Sequence, residues 1–298
     1  MLPSHGRYDY SGIAERADYT WPNGARLAVY LGVNLEHFAF GQGLGAELAP
    51  GGPQPDVLNF AWRDWGNRVG AWRLIELLDD LRVPASMLVN SAMYPYAPSL
   101  MAAIRARGDE IVGHGRTNSE RQSVLPEDEE RALIAEATRV IAEAEGSPPR
   151  GWLSPWIAES ATTPDLLAEA GYRYTLNWCM DDQPVWMRTR GGRLLSIPYP
   201  QEANDIPSII ARKDGAAQFA DIVIDTFDEM LGQSQHLSLV MGIALHPYIV
   251  GQPHRLRQLR RALAHIAGAR GKVWFTTAGE IFDHIVSLPP GIVPGSEY

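Results

Sequence analysis

Three stretches of this chain place acid–base side chains at the ends of apolar runs. Leu27–Leu35 leads directly into Glu36 and His37. Glu110-Ile111-Val112-Gly113 leads into His114, and Leu239–Leu245 leads into His246-Pro247-Tyr248. A carboxylate beside a histidine can supply a general base together with a metal ligand or a proton carrier. A histidine that closes an apolar run titrates near neutral pH and suits protonation of a leaving nitrogen. Asn118 stands four residues beyond His114. Two histidines at that spacing would converge on a divalent ion; an amide is a weak ligand, so a tight zinc-like site does not follow.

These groups can act together only if the runs that carry them are neighbours. Leu27–Leu35 reads as a strand buried on both faces. Residues 41 to 55 are rich in Gly and Pro, a loop flexible enough to lie over a site. Val69, Trp72, Leu74, Leu77 and Leu78 follow the period of an amphipathic helix. Alternation then repeats: a strand at 85–89, a helix at 99–107, the His114 strand, and a helix at 126–145. The acids Glu127, Asp128, Glu129 and Glu130 that open the last of these complement a helix dipole. Short strands at 152–153, 174–176 and 194–197, then the runs 237–245 and 272–276, complete the series before a final helix. Strands separated by helices predict parallel pairing with right-handed crossovers. The expected fold is α/β, a distorted (β/α)7–8 barrel in one domain. Residues 1–25 would wrap its outside, 26–286 form the barrel, and 287–298 make a tail. Chemistry in such barrels sits at the C-terminal strand ends, where Glu36, His114 and His246 fall. The glycines at 113 and 115 would let a substrate or backbone approach His114 closely.

The 298 residues are 45% hydrophobic and 20% charged, enough for a large core. A net charge of −9 argues against nucleic acid, which needs clustered Lys and Arg. Cys179 is the single cysteine, so no intrachain disulfide forms, and its neighbours Trp178 and Met180 suggest packing. The opening residues through Arg7 lack the apolar core of a signal peptide. No window approaches the ~18 apolar residues of a membrane span. The chain therefore reads as cytoplasmic, with no membrane partner. The turns bearing Asp181/Asp182 and Asn204/Asp205 follow strand candidates; they could bind substrate, contact another subunit or cap helices. Arg255, Arg257, Arg260 and Arg261 read as a solvated helix face, and His254, His265 and His284 as structural. The sequence has no glycine-rich phosphate loop, G-x-S-x-G elbow or His-Glu-x-x-His pair.

Read in order, Trp21-Pro22-Asn23-Gly24, Asn34-Leu35-Glu36, Gly151-Trp152 with Ser154-Pro155, Asp181-Asp182-x-Pro184, Pro198-Tyr199 leading to Asn204-Asp205, and His246-Pro247 leading to Gly251-x-Pro253-x-Arg255 resemble a known family. It is the polysaccharide deacetylase (NodB-like) superfamily, in its branch of PuuE-type allantoinases and cyclic-imide hydrolases. The resemblance implies a roughly seven-stranded β/α barrel that hydrolyses non-peptide carbon–nitrogen bonds. The family's catalytic base and first metal ligand, two adjacent aspartates, fall on Glu36 and His37. Its metal-binding histidine pair falls on His114 and Asn118, and the arginine of its third motif loosely on Arg150. A metal held by His37, His114 and Asn118 would depart from the pattern at two of three positions, so the resemblance leaves open one divalent, zinc-like metal or none.

The expected substrate is a small cyclic amide, imide or ureide. Glu36 would activate water, His114 with any metal would stabilise the oxyanion, and His246 would protonate the departing nitrogen. Trp178, Asp181, Asp182, Trp186, Asn204 and Asp205 would shape the substrate pocket. Deacetylation of an acetylated amino sugar is the alternative within the superfamily, and a catalytically silent ligand-binding or assembly barrel the alternative outside it. The related allantoinases imply a homo-oligomer.

Overall fold

A computed structural model describes residues 4–42 and 45–297. Residues 1–3, which open the stretch read as lacking a signal sequence, lie outside the described residues. So do residues 43 and 44 of the Gly- and Pro-rich loop and residue 298 of the tail.

Strand β1 (Leu27–Leu35) is buried along its whole length and forms the spine of the sheet. β2 (Ser86–Val89), β3 (Glu110–Gly113), β4 (Gly151–Trp152) and β5 (Tyr174–Thr175) succeed it on one side, all parallel. β6 (Val185–Thr189) and β7 (Gly192–Ser196) follow. On the other side of β1 lies β8 (Leu239–Leu245), paired in parallel from Leu27 with Leu239 to Val33 with Leu245. β9 (Trp274–Thr276) pairs with the N-terminal half of β1, below β2. Helices α1 (Val57–Trp65), α2 (Ala71–Leu81), α3 (Met93–Tyr96), α4 (Pro98–Arg107), α5 (Glu127–Glu145), α6 (Thr163–Glu169), α7 (Ala216–Gln233), α8 (Pro247–Val250), α9 (Pro253–Gly268) and α10 (Ala278–Ser287) connect the strands. No helix among the described residues is long and apolar enough to cross a membrane.

This is a mixed α/β domain with a curled, incompletely closed barrel sheet, as expected. It differs from an all-parallel series in one place: β6 and β7 form an antiparallel hairpin. Only a few residues separate Thr189 from Gly192, too short for a crossover helix. Between β7 and β8 the curl is completed by one bridge, Asn204 to Ala244, and by the Val240 amide donating to the Asp182 carbonyl at 2.9 Å. The helix expected around Val69 to Leu78 is α2, and a wide turn at Gly66–Gly70 joins it to a preceding helix, α1, that the periodicity does not single out.

Side chains alternate across each strand. Leu27, Val29, Leu31, Val33 and Leu35 face the helical layer, while Ala28 and Tyr30 face the barrel interior with Leu88, Val112, Leu153 and Val240. The N-terminal segment lies along the barrel. Trp21 is buried with its indole N–H donating to the Leu239 carbonyl, and Arg7 and Arg16 pair with Asp165 and Asp181.

Candidate active site

The same alternation decides which strand-end groups meet. Continuing it past β1 puts Asn34 and Glu36 on the interior face with Ala28 and Tyr30, and turns His37 to the other side. In β3 and β8 it places His114 on the side of Val112 and His246 on the side of Val240 and Ala244. At the C-terminal end of the barrel Glu36 Oε1 lies 3.5 Å from His114 Nε2 and 3.6 Å from His246 Nε2. All three residues are buried and line one cavity of about 200 Å³, whose walls include Phe38, Trp156, Ile157 and Tyr248.

Each group is held by a second set of contacts. The Asn118 side-chain amide donates to Glu36 Oε1, and the Asn67 amide donates to the Glu36 carbonyl at 2.8 Å. Asn90, at the end of β2, is the strut between strands. Its Oδ1 accepts from the His37 backbone N–H at 2.8 Å, and its Nδ2 donates to Asn118 Oδ1 and to the His114 carbonyl. His246 receives the strongest support. Asp205 accepts from its ring Nδ1 at 2.6 Å and from its backbone N–H at 2.8 Å. The segment after His246 is seated against the Gly66–Gly70 turn, where a Cβ at Gly70 would fall 2.2 Å from the Pro247 carbonyl oxygen. Only glycine lets these backbones come together.

The partners assign the protons. A carbonyl only accepts, so His114 Nδ1, 2.7 Å from the Leu153 oxygen, carries the hydrogen. His114 Nε2 is buried, lacks a hydrogen-bond partner and faces Glu36 Oε1 at 3.5 Å. That nitrogen points at the place where a water or a substrate polar group would sit. Burial opposes the Glu36 charge, but His246 and His114 outweigh it and hold the carboxyl below its ordinary range. Burial likewise opposes charge on His246, yet Asp205 and Glu36 together raise it. Each of the two thus favours the charged form of the other, carboxylate on Glu36 and imidazolium on His246. Tyr248 completes the wall. Burial keeps its phenol neutral, it neighbours Glu36, and it has no hydrogen bond of ordinary geometry.

The structure corrects several sequence-based assignments. His37 stacks on Tyr96 with ring centroids 4.6 Å apart and lies beside Phe60, Asp64 and Asn67, away from the cavity. Trp186 is sealed between Phe282 and the Arg193 guanidinium. Trp178 packs on Tyr8 and donates to Glu159. Asp181 is clamped by Arg16 through two bonds of 2.7 and 2.6 Å, and Asp182 lines a separate cavity at the β7–β8 gap with Cys179. The loop after β5 runs toward the N-terminal segment, which draws these four away from Glu36. Asn204 does line the cavity, whereas Asp205 is fully buried behind His246. Arg150 pairs with Asp283 and is not at the cavity. The glycines around His114 leave no room for substrate: Gly113 abuts Trp152, and Gly115 takes φ +66° against Pro155. Glu130, read as a dipole complement, is fully buried and accepts from Gln122, Ser160 and Thr163. Asn90 and Trp156 carry no sequence signal of their own, and Tyr248 is read only as the residue that follows His246-Pro247.

The resemblance leaves open a divalent metal held by His37, His114 and Asn118. The three residues that should hold it do not fit one. His37 faces the wrong side, and Asn118 turns its N–H toward Glu36 while its oxygen is occupied by Asn90. Among the described residues no group of three or more His, Cys, Asp or Glu side chains is arranged to hold a metal ion. Turnover is therefore expected to survive exhaustive dialysis against a chelator. Loss of activity restored by zinc or cobalt would instead mean that Glu36, His114 and His246 rearrange around an ion.

Residues 60–175 match the polysaccharide deacetylase family. A Schizosaccharomyces pombe protein described as of polysaccharide deacetylase type is 25% identical over 294 residues, covering 88% of this chain and 90% of its own. A crystal structure of a protein of the same description from Pseudomonas aeruginosa PAO1 superposes with TM-score 0.81 at 26% identity, covering 91% of this chain and 94% of that one. The crystal structure of PuuE allantoinase superposes with TM-score 0.77 at 25% identity, covering 91% and 93%. The chain is thus similar to polysaccharide deacetylases, through the family match over residues 60–175, and shares the fold of these two solved structures along most of its length.

Proposed function

We propose that this protein opens a small cyclic amide, imide or ureide by adding water across a ring carbon–nitrogen bond. The observation that carries the reading is the approach of Glu36 Oε1 to His246 Nε2, 3.6 Å apart, in a cavity of about 200 Å³. Sites for drug-sized ligands span roughly 300–1,000 Å³, so this one suits a single small ring. Glu36 takes a proton from water as the oxygen bonds to the ring carbonyl carbon. Neutral Tyr248 is the uncommitted O–H donor for the oxygen that gains charge. His246 gives its Nε2 proton to the nitrogen as the C–N bond breaks, while Asp205 fixes the ring. The product is the substrate plus one water. The likeness to PuuE allantoinase, whose name denotes a ureide substrate, supports this choice. On the same resemblance we read the protein as a homo-oligomer.

Mass-spectrometric screening of the protein as isolated tests the reading against one panel: allantoin, hydantoin, dihydropyrimidines, succinimide-type rings and N-acetylated amino sugars. Expected is a product heavier by one water with nothing lost. Release of acetate would return the chain to deacetylation, and no product from any member would favour a silent ligand-binding barrel. Tyr248→Phe should lower kcat about tenfold with KM little changed, less than the ~100-fold for a fixed oxyanion donor, because water can enter and bridge. An unchanged kcat would remove the phenol from the reaction.

A further inference from the structure

One element of the cavity has a backbone that its residue types disfavour. After β4 the chain turns through Pro155–Ile157, with Trp156 at φ +67° and Ile157 at φ +54°. Left-handed backbone is uncommon for any residue with a Cβ and a genuine outlier for a β-branched one. Such conformations persist only where the surroundings over-determine them, and they gather at ligand clamps. Here the surroundings do so. Ser154 N–H donates to Asn177 Oδ1 at 2.7 Å, Glu159 accepts from Asn177 Nδ2 and Trp178 Nε1, both at 2.7 Å, and Ser160 Oγ donates to buried Glu130 at 2.6 Å. The turn closes on itself through Ile157 N–H to the Ser154 carbonyl at 2.8 Å.

The strained pair presents its side chains to the cavity. Trp156 is 38% exposed, so the turn does not serve to bury the indole. The ring is nevertheless fixed. Its N–H donates to the Asn118 carbonyl at 3.1 Å, and the Arg121 guanidinium covers it at 5.1 Å from the centroid. Asn118 is also the residue whose side chain holds Glu36. The indole and the base are thus registered on one residue. Relaxing the turn would move the indole and leave Glu36 in place, which is a reason for the strain to be kept.

We infer that Trp156 and Ile157 are the specificity-determining wall of the site, a flat apolar face on which a planar cyclic amide or ureide stacks with its carbonyl over Glu36. The inference rests on the ring-opening reading for its substrate class. The wall selects flat rings over puckered or chain-linked acetylated sugars, which cannot lie against it, and it orients rather than reacts.

Two variants and two readouts test it. In steady-state kinetics on whichever ring the wild type opens, Trp156→Ala should raise KM at least about tenfold with kcat within a few-fold, since base–aromatic stacking has that magnitude. Ile157→Gly suits φ +54° without strain, so its Tm should equal or exceed the wild type's while kcat/KM falls. Hydantoin binding, followed by calorimetry in the Glu36→Gln background to prevent turnover, should weaken about tenfold on adding Trp156→Ala. Unchanged KM and hydantoin affinity in Trp156→Ala would overturn the wall, as would Ile157→Gly with lowered Tm and intact kinetics. Absence of hydantoin binding to Glu36→Gln itself would also overturn it. Hydantoin binding that depends on Trp156 without ring opening by the wild type would uphold the wall and refute the ring-opening reading, so the two failures are distinct.

Discussion

Glu36→Gln is expected to lower turnover at neutral pH by ~100-fold or more, within the usual span for an acid–base residue. The substitution is nearly isosteric. A glutamine oxygen can still accept from the Asn118 amide, and the Asn67 contact is to the Glu36 backbone, so both supports persist. What is lost is the one group at the cavity poised to take a proton from water. His114 approaches from β3, a different strand from β1, and its ring is fixed by the bond from Nδ1 to Leu153, so it does not occupy the position Glu36 holds. A second effect acts in the same direction. Glu36 is one of the two charges that raise His246, so its removal lowers that imidazole and depletes the acid that serves the leaving nitrogen. Circular dichroism and thermal melting should match the wild type, which separates a chemical loss from a folding one. Turnover equal to the wild type's would take Glu36 out of the mechanism.

Much of this site follows from residue order, and the part that does not has a physical cause. Long buried strands announce themselves by continuous apolar runs, so β1 and β8 and the groups that end them are legible. The inward turn of Glu36 and the outward turn of His37 follow from period-two alternation along β1, but only once the faces are known. Leu27–Leu35 is buried on both faces and does not reveal which is inside. Interior Tyr30, Gly32 and Asn34 are no more hydrophobic than exterior Leu31 and Val33, because helices cover the outer face. The antiparallel β6–β7 hairpin escapes the pattern because Arg188 and Arg193 interrupt the apolar run of a partly exposed ribbon. Asp205 is legible as a strand-end acid, yet its role is not. Whether a carboxylate faces substrate or stands behind a histidine depends on the Asn204–Ala244 bridge, a contact between chain segments that local pattern does not encode. The same holds for Asn90, whose work is to tie His37, His114 and Asn118 across two strand ends. Asp181 and Asp182 mislead for the converse reason: Arg16, the partner that claims Asp181, comes from the N-terminal segment, far away in sequence.

His246→Ala should cost ~100-fold or more in turnover, the scale of a lost general acid, and the loss should shrink for rings whose nitrogen leaves readily as an anion. Such a leaving group needs no proton in the transition state, so dependence on nitrogen basicity is the signature of this role. The pH profile carries the second signature. The competent form pairs ionised Glu36 with protonated His246. kcat/KM should therefore rise as Glu36 loses its proton, below the ordinary carboxylate range, and fall as His246 loses its proton, above the ordinary imidazole range. Asp205→Asn changes one side of this bell most directly. Asp205 favours the imidazolium by charge and by its 2.6 Å bond, and burial opposes it. Removing the charge leaves burial less opposed, so the His246 pKa falls and the descending limb moves to lower pH. The ascending limb does not move up: where Glu36 titrates, His246 is protonated in either protein, and the substitution removes a like charge that repels the Glu36 carboxylate. The bell narrows from its alkaline side, and rate at neutral pH falls by more than the plateau does. A uniform drop with neither limb displaced would leave Asp205 as a packing residue and shift the proton donor away from His246.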